Sequence, residues 1–138
     1  MNASPSPRAH LAPGHAAGVT EPMIRELVHA FYGRVRLDPE LGPIFNGAVE
    51  DWDEHLAKLC DFWSSVLLMT ARFKGRPMAA HAQVPAIQPA HFAHWLALFE
   101  TTARELWPAP AADLVVEKSQ MIGRSLQLGL AVSRGELP

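Results

Sequence analysis

The sequence has one cysteine, no block of basic residues and no long apolar run, and each shortage excludes a class of protein. A lone Cys60 excludes an internal disulfide, a cysteine-cluster zinc or iron–sulfur site and a C-x-x-C-H haem attachment. The net charge of −2 argues against nucleic-acid binding, which needs clustered Lys and Arg. The longest apolar runs, such as Trp95 to Phe99, reach five residues, so no segment is expected to cross a membrane.

The composition favours one globular domain. In 138 residues, 49% are hydrophobic and 19% are charged, which is enough apolar material for a single core. Residues 1–19 are rich in Ala, Pro, Ser and Gly and show no periodicity, so we predict a disordered tail followed by a domain over residues 20–138. No secretory signal is visible, and a cytoplasmic, reducing location is expected.

Apolar residues recur at helical spacing throughout the domain, and no alternating run long enough for a strand is present. We therefore predict an all-α fold with five or six helices. Residues 41–45 are expected to form a turn with two large apolar anchors. The predicted helices cover about 20–38, 52–69, a short stretch between Pro77 and Pro85, 89–107 and about 111–132.

Histidine is the informative residue type for chemistry. His81 lies between prolines among small and apolar residues, and taken alone it favours a structural role. His55 lies at the edge of an apolar stripe and is ambiguous. His91 and His94, three residues apart, lack a third metal ligand and are expected to face solvent. Two histidines in apolar surroundings beside Tyr32 also suit a flat, metal-centred cofactor with one axial ligand and an open opposite face.

Five short segments carry these histidines and most of the aromatic residues. They are Phe31-Tyr32-x-x-Val35-Arg36-x-Asp38-x-x-Leu41-Gly42-Pro43-Ile44-Phe45, Trp52-x-x-His55, Phe62-Trp63-Ser64, Gly75-x-Pro77-x-x-x-His81 and Phe92-x-x-Trp95-Leu96-x-Leu98-Phe99. In this order they resemble the truncated haemoglobins, in particular the group III type, from about Pro22 to Val132. The Gly-Gly pairs typical of the other two truncated groups are missing from this sequence, and their absence is a further resemblance to group III.

The resemblance implies a globin-like two-over-two helical sandwich around b-type haem. His81 matches the proximal ligand of the haem iron, and Tyr32, His55 and Trp95 match the polar residues of the distal side. His55 is also a possible distal ligand of the iron, which the spacing cannot decide. Phe73 departs from the family, which often has Tyr there. The remaining residues expected in the haem pocket are Phe45, Leu59, Trp63, Met78 and Phe92.

The expected function is a haem protein that binds a diatomic ligand, O2 and also NO or CO, in a polar distal pocket. Two alternatives stay open. The first is a redox enzyme with NO dioxygenase or peroxidase-like activity on the same haem, which would need a reductase that this chain does not encode. The second is a helical module without a cofactor.

Overall fold

The structure, a computed structural model, describes residues 12–74 and 88–133. Within these ranges it contains six helices and no strand, as the apolar periodicity predicts. The short helix predicted between Pro77 and Pro85 lies outside the described residues. The helices are α1 (Pro13–Ala16), α2 (Glu21–Leu37), α3 (Leu41–Ala48), α4 (Trp52–Leu68), α5 (Pro89–Leu106) and α6 (Ala109–Ser133).

The helices that carry the candidate site begin where the sequence provides caps. The Thr20 hydroxyl accepts the Met23 N–H at 3.3 Å, and the Asp51 carboxylate accepts the Glu54 N–H at 3.1 Å. Pro89 occupies the first turn of α5, where its missing N–H would have no helical partner in any case. These residues set where α2, α4 and α5 begin.

Two helix pairs form the body of the fold. Helix α2 packs against α4, α5 packs against α6, and α2 also contacts α5. At the α2–α5 contact, Arg34 donates to the Thr102 hydroxyl at 3.0 Å and pairs with Glu105. The Trp107 indole N–H, just after α5, donates to the Met23 carbonyl in α2 at 3.1 Å. The pairing agrees with the expected two-over-two sandwich.

The prediction of a turn over residues 41–45 is wrong, because these residues begin helix α3. Eight residues are too few to show a recognisable apolar stripe, and Pro43 lies in the first helical turn, which accepts proline. Gly42 allows the close approach of α3 to α2, since a Cβ there would lie 2.7 Å from the Arg36 carbonyl oxygen.

Asp38 holds the corner between α2 and α3. One carboxylate oxygen accepts the N–H groups of Glu40 and Leu41, each at 2.9 Å, and the other lies 2.6 Å from His94 Nε2 on α5. Partial burial opposes ionisation, but these hydrogen bonds outweigh it and lower the pKa of Asp38 below its ordinary value. The ionised carboxylate is therefore a stabilising link between three helices.

Replacing Asp38 with alanine is expected to lower the free energy of unfolding by about 1–2 kcal/mol at pH 7, as for other lost helix caps. Because the folded pKa is below the unfolded value of about 4, the carboxylate's contribution is complete above pH 4 and disappears as the pH falls through the folded pKa. Urea unfolding from pH 7 to pH 3 should show the difference from the unsubstituted protein shrinking below about pH 4. Asp38→Asn, which keeps one acceptor, is the control, and a difference that grows in acid would contradict the assignment.

The disordered tail predicted for residues 1–19 does not hold for residues 12–19. They form α1 and a short connection, in which Ala12, Gly14 and Val19 are buried. Gly14 allows the close approach of α1 to α4, because a Cβ there would lie 2.5 Å from the Leu67 carbonyl oxygen. Small residues without periodicity can thus pack tightly on a helix, which a search for apolar stripes does not detect.

No helix in the described parts of the chain is both long and apolar enough to span a lipid bilayer.

Candidate functional site

Tyr32 and Trp95 form a hydrogen-bonded pair between α2 and α5. The Trp95 indole N–H donates to the hydroxyl of Tyr32, and Tyr32 is only 4% exposed. Burial raises the pKa of Tyr32 above its ordinary value, and the hydrogen bond from Trp95 opposes this only in part. Tyr32 is therefore protonated at neutral pH, and its O–H is a donor while its oxygen accepts from Trp95.

His55 lies next to this pair, at the end of the first turn of α4. Its ring centroid is 6.0 Å from that of Tyr32, and the two rings are nearly perpendicular. The imidazole is half-buried and has further interactions in the structure. Tyr32 thus contacts both of the other residues predicted for the distal side, so a small ligand beside its hydroxyl would meet an O–H and an imidazole together.

A cluster of aromatic rings supports the pair from the core side. Phe31 contacts Tyr32, Trp95 and Phe99 edge-on, with centroids 4.8–5.0 Å apart. Phe99 is stacked with both Trp95 and Trp63, at 5.4 Å in each case. Phe31 and Phe99 are almost fully buried, so the positions of Tyr32 and Trp95 are fixed by close packing as well as by their hydrogen bond.

Of the other residues predicted for the pocket, Phe45 on α3 is buried with its ring centroid 6.2 Å from that of Tyr32. Leu59 is half-buried on α4, one turn after His55. Phe92 is buried in the first turn of α5, and Trp63 is buried in the stack on Phe99. His81 and Met78 lie outside the described residues.

Hydroxyl groups of α4 hold the segment after it, residues 69–74. Ser64, which is 1% exposed, donates to Glu21 at 2.9 Å and bonds with Thr70 at 2.8 Å. The Ser65 hydroxyl accepts the Phe73 N–H at 2.9 Å. The Phe73 ring contacts Phe62 at 5.2 Å, so at the position where Tyr is common in the family an apolar contact is made instead.

The surface histidines of α5 serve local structure. His91 Nδ1 accepts the Gln88 N–H at 2.8 Å at the start of the helix, and His94 pairs with Asp38. Both are only partly exposed, whereas the sequence suggested solvent-facing side chains. In residues 12–74 and 88–133, no group of three or more His, Cys, Asp or Glu side chains is arranged to hold a metal ion.

The sequence placed Phe31, Phe99 and Trp52 in the segments that resemble the truncated haemoglobins, but it predicted no role for them in the site. Trp52 in fact contacts both His55 and Tyr32, with ring centroids 5.5 Å and 6.1 Å apart. The signal was present in the spacing of Trp52 and His55, because residues three apart on a helix share a face.

Known proteins share this arrangement of helices. The profile of the bacterial-like globin family matches residues 16–117, so the chain is of the globin class. It is similar to the group 3 truncated hemoglobin of Campylobacter jejuni, with 34% identity over 113 residues, which are 79% of this chain and 89% of that protein. The crystal structure of the group III truncated hemoglobin from Campylobacter jejuni superposes with a TM-score of 0.77 at 34% identity, covering 81% of this chain and 91% of that one.

The chain belongs to the truncated haemoglobins of the group III type. Membership of this family implies a haem cofactor and small gaseous ligands. The chemistry of the described side chains fits such a group, because a buried Tyr O–H and a neighbouring imidazole lie among aromatic and aliphatic residues. Large apolar side chains that remain only half-buried against the core include Ile44, Leu59, Phe62, Trp95 and Ile122.

Proposed function

We propose that this protein binds b-type haem and uses it to hold O2, and also NO or CO, beside the Tyr32 hydroxyl. When bound, the haem supplies an iron that accepts a diatomic ligand on its open face. The observation that carries the proposal is the buried Tyr32 that accepts the Trp95 N–H and contacts His55. The absence of a C-x-x-C-H motif supports non-covalent attachment of the haem.

His81 is proposed as the proximal ligand, on the strength of its match to the family motif. Neutral imidazole is the form that binds iron, and its second ring nitrogen would need a carbonyl or carboxylate partner to fix the ring. On the opposite side, Tyr32, His55 and Trp95 are proposed as the distal residues. Phe45, Leu59, Trp63, Met78 and Phe92 are the side chains proposed to enclose the haem.

Retention of the ligand is the property that the distal residues support best. A bound O2 takes on negative charge, and an O–H donor in apolar surroundings stabilises such charge strongly. Because Tyr32 also accepts a hydrogen bond from Trp95, its O–H is polarised and becomes a better donor. Slow release of O2 suits storage, sensing or a reaction on the bound ligand better than transport.

The visible absorption spectrum of the purified, haem-supplemented protein tests the proposal. We expect a strong Soret band in the ferric and ferrous forms that shifts when CO or O2 is added to the ferrous form. Absence of a Soret band after reconstitution would overturn it and favour a helical module without a cofactor. Stopped-flow reactions of the O2 complex with NO, and of the ferric form with peroxide, then distinguish a binder from an enzyme.

Sustained turnover by an NO dioxygenase or a peroxidase-like enzyme would need a reductase supplied by another protein.

We propose a cytoplasmic location for this protein, because a lone, half-buried cysteine, Cys60, suits a reducing compartment.

A further inference from the structure

Trp52, in the first turn of α4, lies between the surface and the distal residues. On its inner side the indole contacts His55, with ring centroids 5.5 Å apart and planes at 84°, and it contacts Tyr32 at 6.1 Å. The indole is half-buried, so one part of it faces the distal residues while another reaches the surface.

On its outer side, Trp52 is fixed by residues of two other helices. Its indole N–H donates to the Asn46 side-chain oxygen on α3 at 3.2 Å. The amide nitrogen of Asn46 in turn donates to the Arg36 carbonyl at the end of α2, also at 3.2 Å. The Arg36 guanidinium lies over the indole ring, 4.7 Å from its centroid.

These contacts differ in direction as well as in chemistry. A hydrogen bond fixes the edge of the indole, a cation over the ring fixes its plane, and the caps of α4 fix its backbone. A tryptophan that needed only to cover apolar surface would not require both a hydrogen bond and a cation. The combination holds one ring orientation, and that orientation determines how much space the neighbouring imidazole has.

The geometry points to Trp52 as the positioning residue for His55: held by Asn46 and Arg36, its indole keeps the imidazole against Tyr32 and limits its movement. The inference rests on the proposed function, in which His55 faces the ligand of the haem. Arg36 and Asn46 are exposed, so the position of a residue beside the ligand is set by contacts at the surface of the α2–α3 corner.

The test is the infrared stretching band of CO bound to the reduced holoprotein, since this band responds to the polar groups around the ligand. Trp52→Ala should shift the band by at least half as much as His55→Ala does, and in the same direction. The double variant should match His55→Ala alone, because the position of a residue that is absent has no effect. Trp52→Phe, which keeps a ring against His55, should remain close to the unsubstituted protein.

Asn46→Ala removes the hydrogen bond to the indole together with the one to the Arg36 carbonyl, and it should broaden or partly shift the band without loss of haem. Trp107→Phe is the matched control, since it removes an indole hydrogen bond to Met23 outside the site and should leave the band unchanged. An unchanged band in Trp52→Ala, or a shift that persists in full in the His55→Ala background, would overturn the inference. The comparison of the infrared bands requires that each variant shows a normal Soret band and forms the CO complex. If the unsubstituted protein shows neither, the proposed function is refuted instead.

Discussion

Replacing His81 with alanine is expected to remove most of the bound haem, which is the largest loss we predict for any single substitution. The proposed axial bond fixes the iron to the protein, and alanine offers no ligand in its place. The expected measurement is the ratio of Soret to protein absorbance after reconstitution with one equivalent of haem. Imidazole added to the solution should restore part of the haem, because it can replace the missing ligand but not a missing packing contact.

The same substitution should lower the thermal stability of the reconstituted protein. A ligand that binds only the folded state at about 1,000 times its Kd stabilises that state by roughly 4 kcal/mol, and weaker binding reduces this gain. His29→Ala, which changes an exposed histidine on α2, is the control and should retain the haem. Residual haem in His81→Ala should disappear in the His81→Ala, His55→Ala double variant. A double variant that keeps stoichiometric haem would refute the assignment of His81.

The long helices and their inward faces could be predicted from the sequence, whereas the short elements could not. Helices α2, α4 and α5 each have a cap or an initial proline and enough turns to show an apolar stripe. Helix α3 has too few turns for a stripe, and its stability depends on the Asp38 carboxylate and on Gly42 against α2. Helix α1 depends on the fit of Gly14 to α4. Such fits depend on residues far apart in sequence, which local patterns do not record.

The candidate site, like the fold, could be predicted from the sequence only in part. The polar residues Tyr32, His55 and Trp95 could be named from the motifs, and the structure brings Tyr32 into contact with the other two. Whether Tyr32 and Trp95 form a hydrogen bond could not be predicted, because this depends on the relative position of α2 and α5, although an indole N–H can act only as the donor. The contacts of Trp52 with residues of two other helices could likewise not be predicted from the sequence.

Because the Trp95 N–H donates to the Tyr32 hydroxyl, we expect substitutions of these two residues to have unequal effects on O2 release. Tyr32→Phe removes the hydroxyl that we propose donates to the ligand, a loss of about 1.5–3 kcal/mol for a hydrogen bond to a charged group. The O2 dissociation rate is therefore expected to rise roughly ten- to a hundred-fold. Stopped-flow displacement of O2 by CO measures this rate directly.

Trp95→Phe should have a smaller effect, because the Trp95 N–H is already donated to the Tyr32 oxygen. The Tyr32 O–H remains in place and loses only the polarisation that the indole provides, so we expect a rise of about two- to five-fold. The phenyl ring can keep the stacking on Phe99. Trp107→Phe, which removes an indole hydrogen bond elsewhere, should not change the rate.

The double variant, Tyr32→Phe with Trp95→Phe, distinguishes a chain of donors from two independent ones. In Tyr32→Phe the indole N–H no longer has the hydroxyl as its acceptor and can turn to the ligand, which limits the increase in rate. Removing the indole as well should then accelerate release by more than Trp95→Phe does alone, so the two effects are not additive. Equal single effects with simple additivity would show that Tyr32 and Trp95 act on the ligand separately, and unchanged rates in both single variants would refute their distal role.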